Sequence, residues 1–390
     1  MRALFPALLL LVSAAPPPPR VVSELSADTD TKWVSFDLTP GNQVRFTMQV
    51  DGRPVVAVLD TGVSFSALSQ AYAASVQLKV RPKGEADAIG GVVPVGWAAT
   101  RRLELGGLTR AGGGITVVAL SAIATGGDKP VDMLVGRDLI GGFALDIDYD
   151  NKRFRLLPSG RMPFVGESAP LGISHDRFVY VSEISIGGRR IRPLIVDTGD
   201  GSSITISQPA WKSVAMSPVP PMTSAIAYGL GGTIETAVTI LPRIDIGRLV
   251  ARDVELRIEG KGGFSEAIGS AGRIGSAFLQ RYRVLLDPSA GRMVFAPGRG
   301  ALVPPPRSTS GLLLGFATGK LRVLHVMKNG PAEAGGWQTG EEICTVDGEA
   351  IPQGMAQGRV VNWSAGAPGR VVALGLCNGT QRTLTLRNFY

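Results

Sequence analysis

The sequence contains two similar segments that each lead into the tripeptide Asp-Thr-Gly. The first copy is VRFTMQVDGRPVVAVLDTGVSFSALS at 44–69, and the second is VYVSEISIGGRRIRPLIVDTGDGSSITIS at 179–207. In each copy an alternating apolar stretch reaches a two-residue turn, and a second apolar stretch then runs into the tripeptide. The first tripeptide begins at Asp60 and the second at Asp197, 137 positions later. A duplicated unit of this kind predicts two similar lobes built from short strands.

The similarity between the halves continues downstream. A glycine pair follows each tripeptide, Gly90-Gly91 in the first half and Gly231-Gly232 in the second. Further along, MLVGRDLIGGFALDIDYD matches GRIGSAFLQRYRVLLDPSA, so that an apolar-apolar-glycine element and a late aspartate recur in both halves. Order and spacing agree to within a few residues over more than 100 positions. We therefore expect a first lobe at 33–160 and a second lobe at 161–297.

Composition indicates how the rest of the chain is organised. Glycine and proline account for 51 and 27 of the 390 residues, which suits many short strands joined by turns and predicts a mainly β fold. The proline-rich polar stretch GRGALVPPPRSTS predicts a linker at 298–310. The strand-like segments beyond it predict a small third domain at 311–390. We expect the stretch PPPPRVVSELSADTDTK, at 16–32, to be a mobile leader.

The N-terminus has the layout of a cleavable signal peptide at 1–15, with one positive charge, an apolar run and then small residues. The apolar run is shorter than the roughly 20 residues that span a bilayer, so we expect no stable membrane span; a short uncleaved anchor is the alternative. Cleavage would make the protein periplasmic or secreted. In such an oxidising compartment Cys344 and Cys377 could form a disulfide, and two separate buried thiols are the alternative.

Residue usage disfavours several classes of protein. The chain has only two histidines and two cysteines, the side chains that usually bind zinc or activate a serine or cysteine nucleophile. Metal hydrolases and triad hydrolases are therefore disfavoured, and we expect no metal and no cofactor. The formal net charge is +8, but the basic residues are spread singly along the chain, so we expect no nucleic-acid partner.

Two facing Asp-Thr-Gly loops would bring the carboxyl groups of Asp60 and Asp197 together. Like charges a few Å apart in a low-dielectric cleft do not both ionise easily, so the pair would hold one proton. Such a pair can take a proton from water while donating another to a carbonyl oxygen, which hydrolyses an amide without a covalent intermediate. The other acidic cluster, Asp146, Asp148 and Asp150, lies in an alternating strand and turn and is interpreted as surface or capping residues.

These motifs resemble the aspartic proteases of the pepsin and retropepsin superfamily, over roughly 34–297. The resemblance implies a two-lobed acid-protease β-barrel fold and a monomeric endopeptidase that acts on peptide or protein substrates. It implies that Asp60 and Asp197 are the catalytic pair. It also implies that the neighbouring residues support the pair across the lobe junction and that the glycine pairs belong to flap hairpins over the substrate. The supporting residues are Thr61, Gly62, Thr198 and Gly199, and the flap residues are Gly90, Gly91, Gly231 and Gly232.

Three positions depart from the pattern of that superfamily. Val63 follows the first tripeptide, where Ser, Thr or Ala is usual, and cannot hydrogen-bond the aspartate. Asp200 follows the second; pointing inward it would raise the pKa values of the pair, but a solvated loop edge is the favoured interpretation. Arg273 occupies an apolar position of the later element. The alternative function is therefore a catalytically inactive envelope protein that binds peptides or acts as an adaptor.

The third domain resembles a PDZ domain, which implies a small α+β fold. An apolar-glycine-apolar segment is followed by a strand, by NGPAEAGG and by a second strand, in the order found in such domains. The resemblance implies that the first segment binds the C-terminus of a peptide while the peptide adds a strand to the sheet edge. A packing module that binds nothing is the alternative. The implied peptide-binding loop consists of Leu313, Leu314, Gly315 and Phe316.

Overall fold

The turn-rich composition predicted a mainly β protein, and the computed structural model confirms it for the residues that it describes, 21–121, 131–353 and 362–390. The signal peptide predicted at 1–15 lies outside these residues. In the described part of the chain, no helix has the length and apolar character needed to cross a bilayer.

The first twelve described strands lie between residues 22 and 135. They are β1 (Val22–Leu25), β2 (Val34–Ser35), β3 (Asp37–Leu38), β4 (Val44–Val50), β5 (Arg53–Leu59), β6 (Ala67–Ser69), β7 (Arg81–Ala88), β8 (Gly91–Ala99), β9 (Arg102–Leu105), β10 (Leu108–Ala111), β11 (Gly114–Val118) and β12 (Met133–Val135). All except β2 join one sheet, in the order β1-β10-β9-β4-β5-β12-β6-β11-β8-β7, with β3 paired to β4.

The segment 144–297 contributes thirteen described strands, of which the first two still belong to the first half. Its strands are β13 (Ala144–Asp148), β14 (Arg153–Leu157), β15 (Glu167–Pro170), β16 (Gly172–Ile173), β17 (Tyr180–Ile186), β18 (Arg189–Asp197), β19 (Ile204–Ile206), β20 (Thr223–Gly229), β21 (Gly232–Ile246), β22 (Leu249–Glu259), β23 (Gly272–Gly275), β24 (Tyr282–Asp287) and β25 (Arg292–Pro297). The second-half sheet has the order β16-β17-β18-β23-β19-β22-β21-β20. A third sheet, β15-β25-β24-β13-β14-β2, takes strands from both halves and therefore joins them.

The described α-helices are short and lie at strand ends. They are α1 (Gln70–Ser75), α2 (Arg137–Ile140), α3 (Gln208–Val214), α4 (Phe264–Ala267), α5 (Ser276–Leu279) and α6 (Pro331–Ala334). Two of them begin in the same way in the two halves. The Ser69 hydroxyl accepts the Tyr72 N–H at 3.0 Å, and the Ser207 hydroxyl accepts the Ala210 N–H at 3.3 Å. A serine N-cap thus starts the helix that follows each Asp-Thr-Gly loop.

The hairpins before the two tripeptides follow directly from the sequence pattern. Asp51-Gly52 and Gly187-Gly188 all have positive φ, between 51° and 79°, as two-residue hairpin turns require. In β4 the residues at alternate positions from Val44 to Val50 are buried, which confirms the predicted alternation. These apolar faces belong to one core that runs through both halves and the sheet that joins them.

Part of the predicted mobile leader belongs to the first sheet. Strand β1 pairs antiparallel with β10, with Val22 opposite Ala111. Thr29 is buried and its hydroxyl donates to the Leu156 carbonyl at 2.6 Å. The expectation of a mobile leader is wrong for these residues, because the open edge of β10 accepts the polar segment VSEL as a strand.

Two of the three aspartates interpreted as surface or capping residues are buried. Asp146 is completely buried between Arg155 and Arg283, at 3.0 and 2.9 Å, and Asp148 is 4% exposed and accepts the Asn151 side chain at 2.8 Å. The surface interpretation is therefore wrong for Asp146, whose partner Arg283 comes from the other half of the chain. Asp148 does cap the turn after β13.

Residues 311–353 and 362–390 contribute a separate sheet with its own core. Its strands are β26 (Leu312–Ala317), β27 (Lys320–Val326), β28 (Glu342–Val346), β29 (Glu349–Ala350), β30 (Val371–Leu376) and β31 (Gln381–Thr385). They follow the order β26-β27-β28-β30-β31, with β29 paired to β28. A disulfide joins Cys344 in β28 to Cys377 after β30, with 5.0 Å between their Cα atoms. At the end of the linker, Thr309 and Ser310 are buried against this domain and bind the Ser364 carbonyl.

Candidate active site

Each Asp-Thr-Gly loop begins where a central strand ends. Strands β5 and β18 each lie between the hairpin strand that precedes them and the strand of the later apolar-glycine element, β12 or β23. In the first half the Asp60 N–H donates to the Val135 carbonyl at 2.9 Å, and in the second half Asp197 lies opposite Gly275 in the β18–β23 pairing. Because strands pair on both sides, the backbone that carries each aspartate is fixed.

The two threonines hydrogen-bond across the junction between the halves. The Thr61 N–H donates to Thr198 Oγ1 and the Thr198 N–H donates to Thr61 Oγ1, both at 3.0 Å. Each hydroxyl then donates to a backbone carbonyl of the opposite half, Thr61 to Val196 at 2.6 Å and Thr198 to Leu59 at 2.7 Å. Both side chains are completely buried, so these four bonds satisfy polar atoms that would otherwise be costly to bury.

The structure brings Asp60 and Asp197 together from opposite halves. They are 9% and 8% exposed, and each carboxyl lies against the glycine of the other loop. A Cβ atom added to Gly62 would overlap the Asp197 carboxyl, and one added to Gly199 would overlap the Asp60 carboxyl. Glycine is therefore required at both positions for the two carboxyl groups to approach.

The pair is arranged to hold a proton. Burial, and then the charge of Asp197, raise the pKa of Asp60 well above its ordinary value. Burial, and then the charge of Asp200, raise the pKa of Asp197 to about 6, against the opposing effect of Arg273. Asp60 Oδ1 accepts the Gly62 N–H at 3.1 Å, whereas Asp197 Oδ1 accepts two N–H groups, from Gly199 at 2.9 Å and Asp200 at 3.0 Å. The additional donor favours negative charge on Asp197 and the proton on Asp60.

The position of Asp200 differs from the favoured interpretation. Its carboxyl is buried and accepts the Arg273 guanidinium at 2.8 Å and the Ser202 N–H at 2.8 Å. Burial raises the pKa of Asp200, but Arg273 and Ser202 outweigh this effect and lower the pKa overall. Arg273 also donates to Glu259 at 2.8 Å, so this departure from an apolar residue is compensated by two buried carboxylates.

Two hairpins meet over the aspartates. The first hairpin is β7–β8, which turns at Ile89-Gly90, and the second hairpin is β20–β21, which turns at Leu230-Gly231. The Gly231 N–H donates to the Ile89 carbonyl at 2.9 Å. Added Cβ atoms would overlap the opposite backbone at Gly90 and Gly231. The structure thus brings together all four glycines that the sequence places in flaps: Gly90, Gly91, Gly231 and Gly232.

A cleft of about 510 Å³ lies between the hairpins and the aspartates. It is lined by both halves, and Asp60, Asp197, Gly62 and Gly199 all contribute to it. Its walls include the side chains of Val58, Ala67, Thr116, Leu134, Ile195, Thr205, Arg257 and Arg273. Within the described residues, no group of three or more His, Cys, Asp or Glu side chains is placed to hold a metal ion.

Some residues of the site were not found from the sequence. Arg257 lines the cleft from β22, and Glu259 holds Arg273 from the same strand. In the first half, Asp138 accepts the Ser66 N–H and hydroxyl at 2.6 Å and pairs with Arg110 at 2.9 Å. No local signal marks these residues, because each partner lies on a strand or helix distant in sequence.

The segment expected to be a peptide-binding loop is a strand. Residues Leu313 to Phe316 lie within β26, which pairs with β27 and forms an edge of the described sheet. Leu313, Leu314 and Phe316 are half-buried. A turn at Gly319, with φ +71°, closes the β26–β27 hairpin directly after the segment, so the apolar residues pair as a strand instead of forming a loop.

Comparison with known protein families gives a match in the first half of the chain. No curated protein matches the sequence. A family model described as aspartyl protease matches residues 46–139. The matched segment contains Asp60, the first hairpin and Gly136. This part of the chain is therefore similar to aspartyl proteases, which indicates a protease-like function with peptide or protein substrates.

Proposed function

We propose that the protein is an exported aspartic endopeptidase in which Asp60 and Asp197 activate a water molecule for attack on a peptide bond. The observation that carries the proposal is the meeting of two buried carboxyl groups, one from each half, under two touching hairpins. The family match around Asp60 supports it.

The hydrogen bonds suggest which carboxyl acts as acid and which as base. Asp197 accepts two N–H groups and carries the negative charge more easily, so it takes a proton from the water. Asp60 accepts one N–H and holds the proton, which it donates to the oxygen of the scissile carbonyl. The crossed threonine bonds keep the two carboxyl groups in place between turnovers.

Replacing either aspartate by asparagine tests this proposal. We expect Asp60→Asn and Asp197→Asn to lose at least about a thousandfold in kcat/KM on a peptide library between pH 3 and 7, because an amide cannot exchange the proton. Wild-type cleavage should also be blocked by pepstatin. Asp253 lies in β22 and is exposed, so Asp253→Asn is a matched control that should keep wild-type activity. Circular dichroism should show that all three variants fold.

The same assay distinguishes the proposed endopeptidase from the alternative, an inactive peptide-binding adaptor. Tight peptide binding by wild-type protein without any cleavage would favour the inactive adaptor. Near wild-type cleavage by Asp60→Asn or Asp197→Asn would show that the pair is not catalytic.

For the third domain, we propose a PDZ-like role in binding peptide tails. Its edge strand β26 offers backbone groups to which a peptide could add as a further strand. The disulfide between Cys344 and Cys377 agrees with the proposed export to an oxidising compartment. Isothermal titration with peptides that have free or amidated C-termini would test binding, and detection of the mature N-terminus in a periplasmic or culture fraction would test export.

A further inference from the structure

The two walls of the cleft are built from equivalent strands but have different chemistry. In the first half, Leu134 lies opposite Val58 in β5 and Ala67 in β6, and Ala67 lies opposite Thr116 in β11. These four residues form the first wall, and all of them line the cleft.

The second half repeats this pairing with other residues. Arg273 lies opposite Ile195 in β18 and Thr205 in β19, and Thr205 lies opposite Arg257 in β22. These four residues form the second wall and also line the cleft. Position by position, arginine thus replaces Leu134 and Thr116.

The first wall is suited to an apolar side chain. Val58 and Leu134 belong to a small buried apolar cluster, and Leu230 from the tip of the second hairpin packs against it. The tip of the hairpin therefore covers an apolar surface with an apolar residue. A substrate side chain that enters this space gains by removing apolar surface from water.

The second wall offers a hydrogen-bond donor. Arg273 is held by Asp200, Glu259 and the Ser265 hydroxyl, and is only 3% exposed. Arg257 is 21% exposed; its Nε donates to Glu255 at 3.0 Å and its Nη1 contacts the Ile226 carbonyl at 3.4 Å. None of the hydrogen bonds among described residues uses Arg257 Nη2.

The charges and the Arg257 donor of this wall determine which kind of substrate side chain fits it best. Two guanidinium groups, of Arg257 and Arg273, face three carboxylates, of Asp200, Glu255 and Glu259, so the group carries a formal charge of −1. An acidic side chain would meet this negative charge and that of the aspartate pair, and an apolar one would leave the Arg257 donor without a partner. A basic side chain has no hydrogen-bond acceptor, so it would also leave the Arg257 donor without a partner. A neutral amide accepts from Arg257 without these costs.

We propose that Arg257 makes the cleft selective for peptides that present an apolar side chain to the first wall and the amide side chain of Gln or Asn to the second. The proposal rests on the proposed function, because it assumes that the cleft takes an extended peptide with its scissile bond over the aspartates. Equivalent positions on the two sides of that bond then face the two walls.

Cleavage of a peptide library, with mass spectrometry of the products, tests this selectivity. We expect Gln or Asn to be enriched at one position on one side of the cut and apolar residues at the equivalent position on the other side. Matched peptides with Gln, Leu, Glu or Lys at the amide position should then show at least a tenfold higher kcat/KM for Gln than for each of the others.

Variants of Arg257 test whether this residue produces the selectivity. Arg257→Thr copies the first wall, where Thr116 stands, and should favour Leu over Gln. Arg257→Lys keeps the charge with fewer donors and should retain part of the preference. Arg252→Thr removes an exposed arginine from the same strand and should behave as wild type.

The same peptides with a reduced scissile bond give binding affinities that do not depend on cleavage. Preferential binding of the Gln peptide without turnover would support this inference and contradict the proposed function. Turnover without a preference for Gln, or an unchanged preference in Arg257→Thr, would overturn the inference and leave the proposed function standing. Absence of both binding and cleavage would overturn both.

Discussion

Asp60 and Asp197 occupy equivalent backbone positions, each at the end of a central strand, but they have different neighbouring side chains. Val63 follows the first loop and offers no charge, whereas Asp200 follows the second and is paired with Arg273. The two carboxyl groups are therefore not equivalent, although the threonine bonds around them are symmetric within 0.1 Å. The duplicated backbone therefore carries unlike neighbouring side chains, which give the two aspartates different affinities for a proton.

The buried pair makes the free energy of unfolding depend on pH. The folded protein holds a proton on carboxyl groups whose pKa is raised, to about 6 for Asp197, while the unfolded chain loses that proton near 3.8. Between these values the folded state binds more protons, so this contribution to stability is complete below about 3.8 and is lost as the pH rises through about 6.

We expect Asp197→Asn to remove the part of this dependence that comes from Asp197, whereas burial still raises the pKa of Asp60 in the variant. The variant should melt at a higher temperature than the wild type at pH 7, while at pH 4 the two melting temperatures should lie closer together. Differential scanning fluorimetry across pH 4 to 8 measures the difference, with Asp253→Asn as the exposed control. A pH dependence of Asp197→Asn that is parallel to that of the wild type would contradict the prediction.

The aspartates, threonines and glycines of the two loops could be found from residue identities, because a duplicated tripeptide after an apolar strand is a local signal, and the resemblance to aspartic proteases implied their roles. They did not predict the environment of Asp200. Its partner Arg273 lies 73 positions away, and only the pairing of β23 with β19 and β18 brings the arginine into the cleft wall. Long-range pairing of this kind leaves no trace in spacing or periodicity.

At the scale of elements, the second hairpin contacts the third domain. The Ser224 hydroxyl in β20 hydrogen-bonds His325 Nε2 in β27 at 2.8 Å and accepts the Lys328 N–H at 3.2 Å. The Thr223 hydroxyl donates to the Lys328 carbonyl at 2.7 Å, and Lys328 Nζ pairs with Glu235 in β21 at 2.8 Å. The third domain therefore contacts the second hairpin, β20–β21, through hydrogen bonds and an ion pair, and we expect these contacts to brace the hairpin.

We expect Ser224→Ala to loosen this contact by about 1 kcal/mol, because it removes the hydrogen bonds of the Ser224 hydroxyl with His325 and with the Lys328 N–H. Hydrogen exchange followed by mass spectrometry should then be faster in both β20 and β27. Ser213→Ala, which removes only a local hydrogen bond on α3, is the matched control. Unchanged exchange in β20 would mean that the third domain does not brace the hairpin.

Strands with clear alternation were predictable, and those that depend on a partner were not. The hairpins that precede the tripeptides combine a period of two with a glycine turn, so both were predicted. Strand β1 has the polar sequence VSEL and exists because β10 offers an open edge. The segment Leu313–Phe316 was assigned to a loop by resemblance, whereas its pairing with β27 makes it a strand.

At the scale of the whole molecule, the described part of the chain has two main cores. One runs through both halves and the sheet that joins them, and the other lies within the third domain. The halves share a core because β13 and β24 pair side by side, with Asp146 and Arg283 linking them. The duplication alone predicted two lobes but could not show that they share this sheet, since its strands lie at the ends of both units.

Two cores predict two steps of thermal unfolding, of which only one depends on the disulfide. The bridge closes a separation of 33 residues entirely within the third domain and restricts its unfolded chain, which stabilises the domain by about 3 to 4 kcal/mol. In differential scanning calorimetry we expect reduction, or the double variant Cys344→Ser/Cys377→Ser, to lower the transition of the third domain. The transition of the two-lobed part should move little, because hydrogen bonds such as those of Ser224 and the exposed ion pair between Lys328 and Glu235, but no shared core, connect it to the third domain. A single transition that shifts as a whole on reduction would show instead that the two cores unfold as one unit.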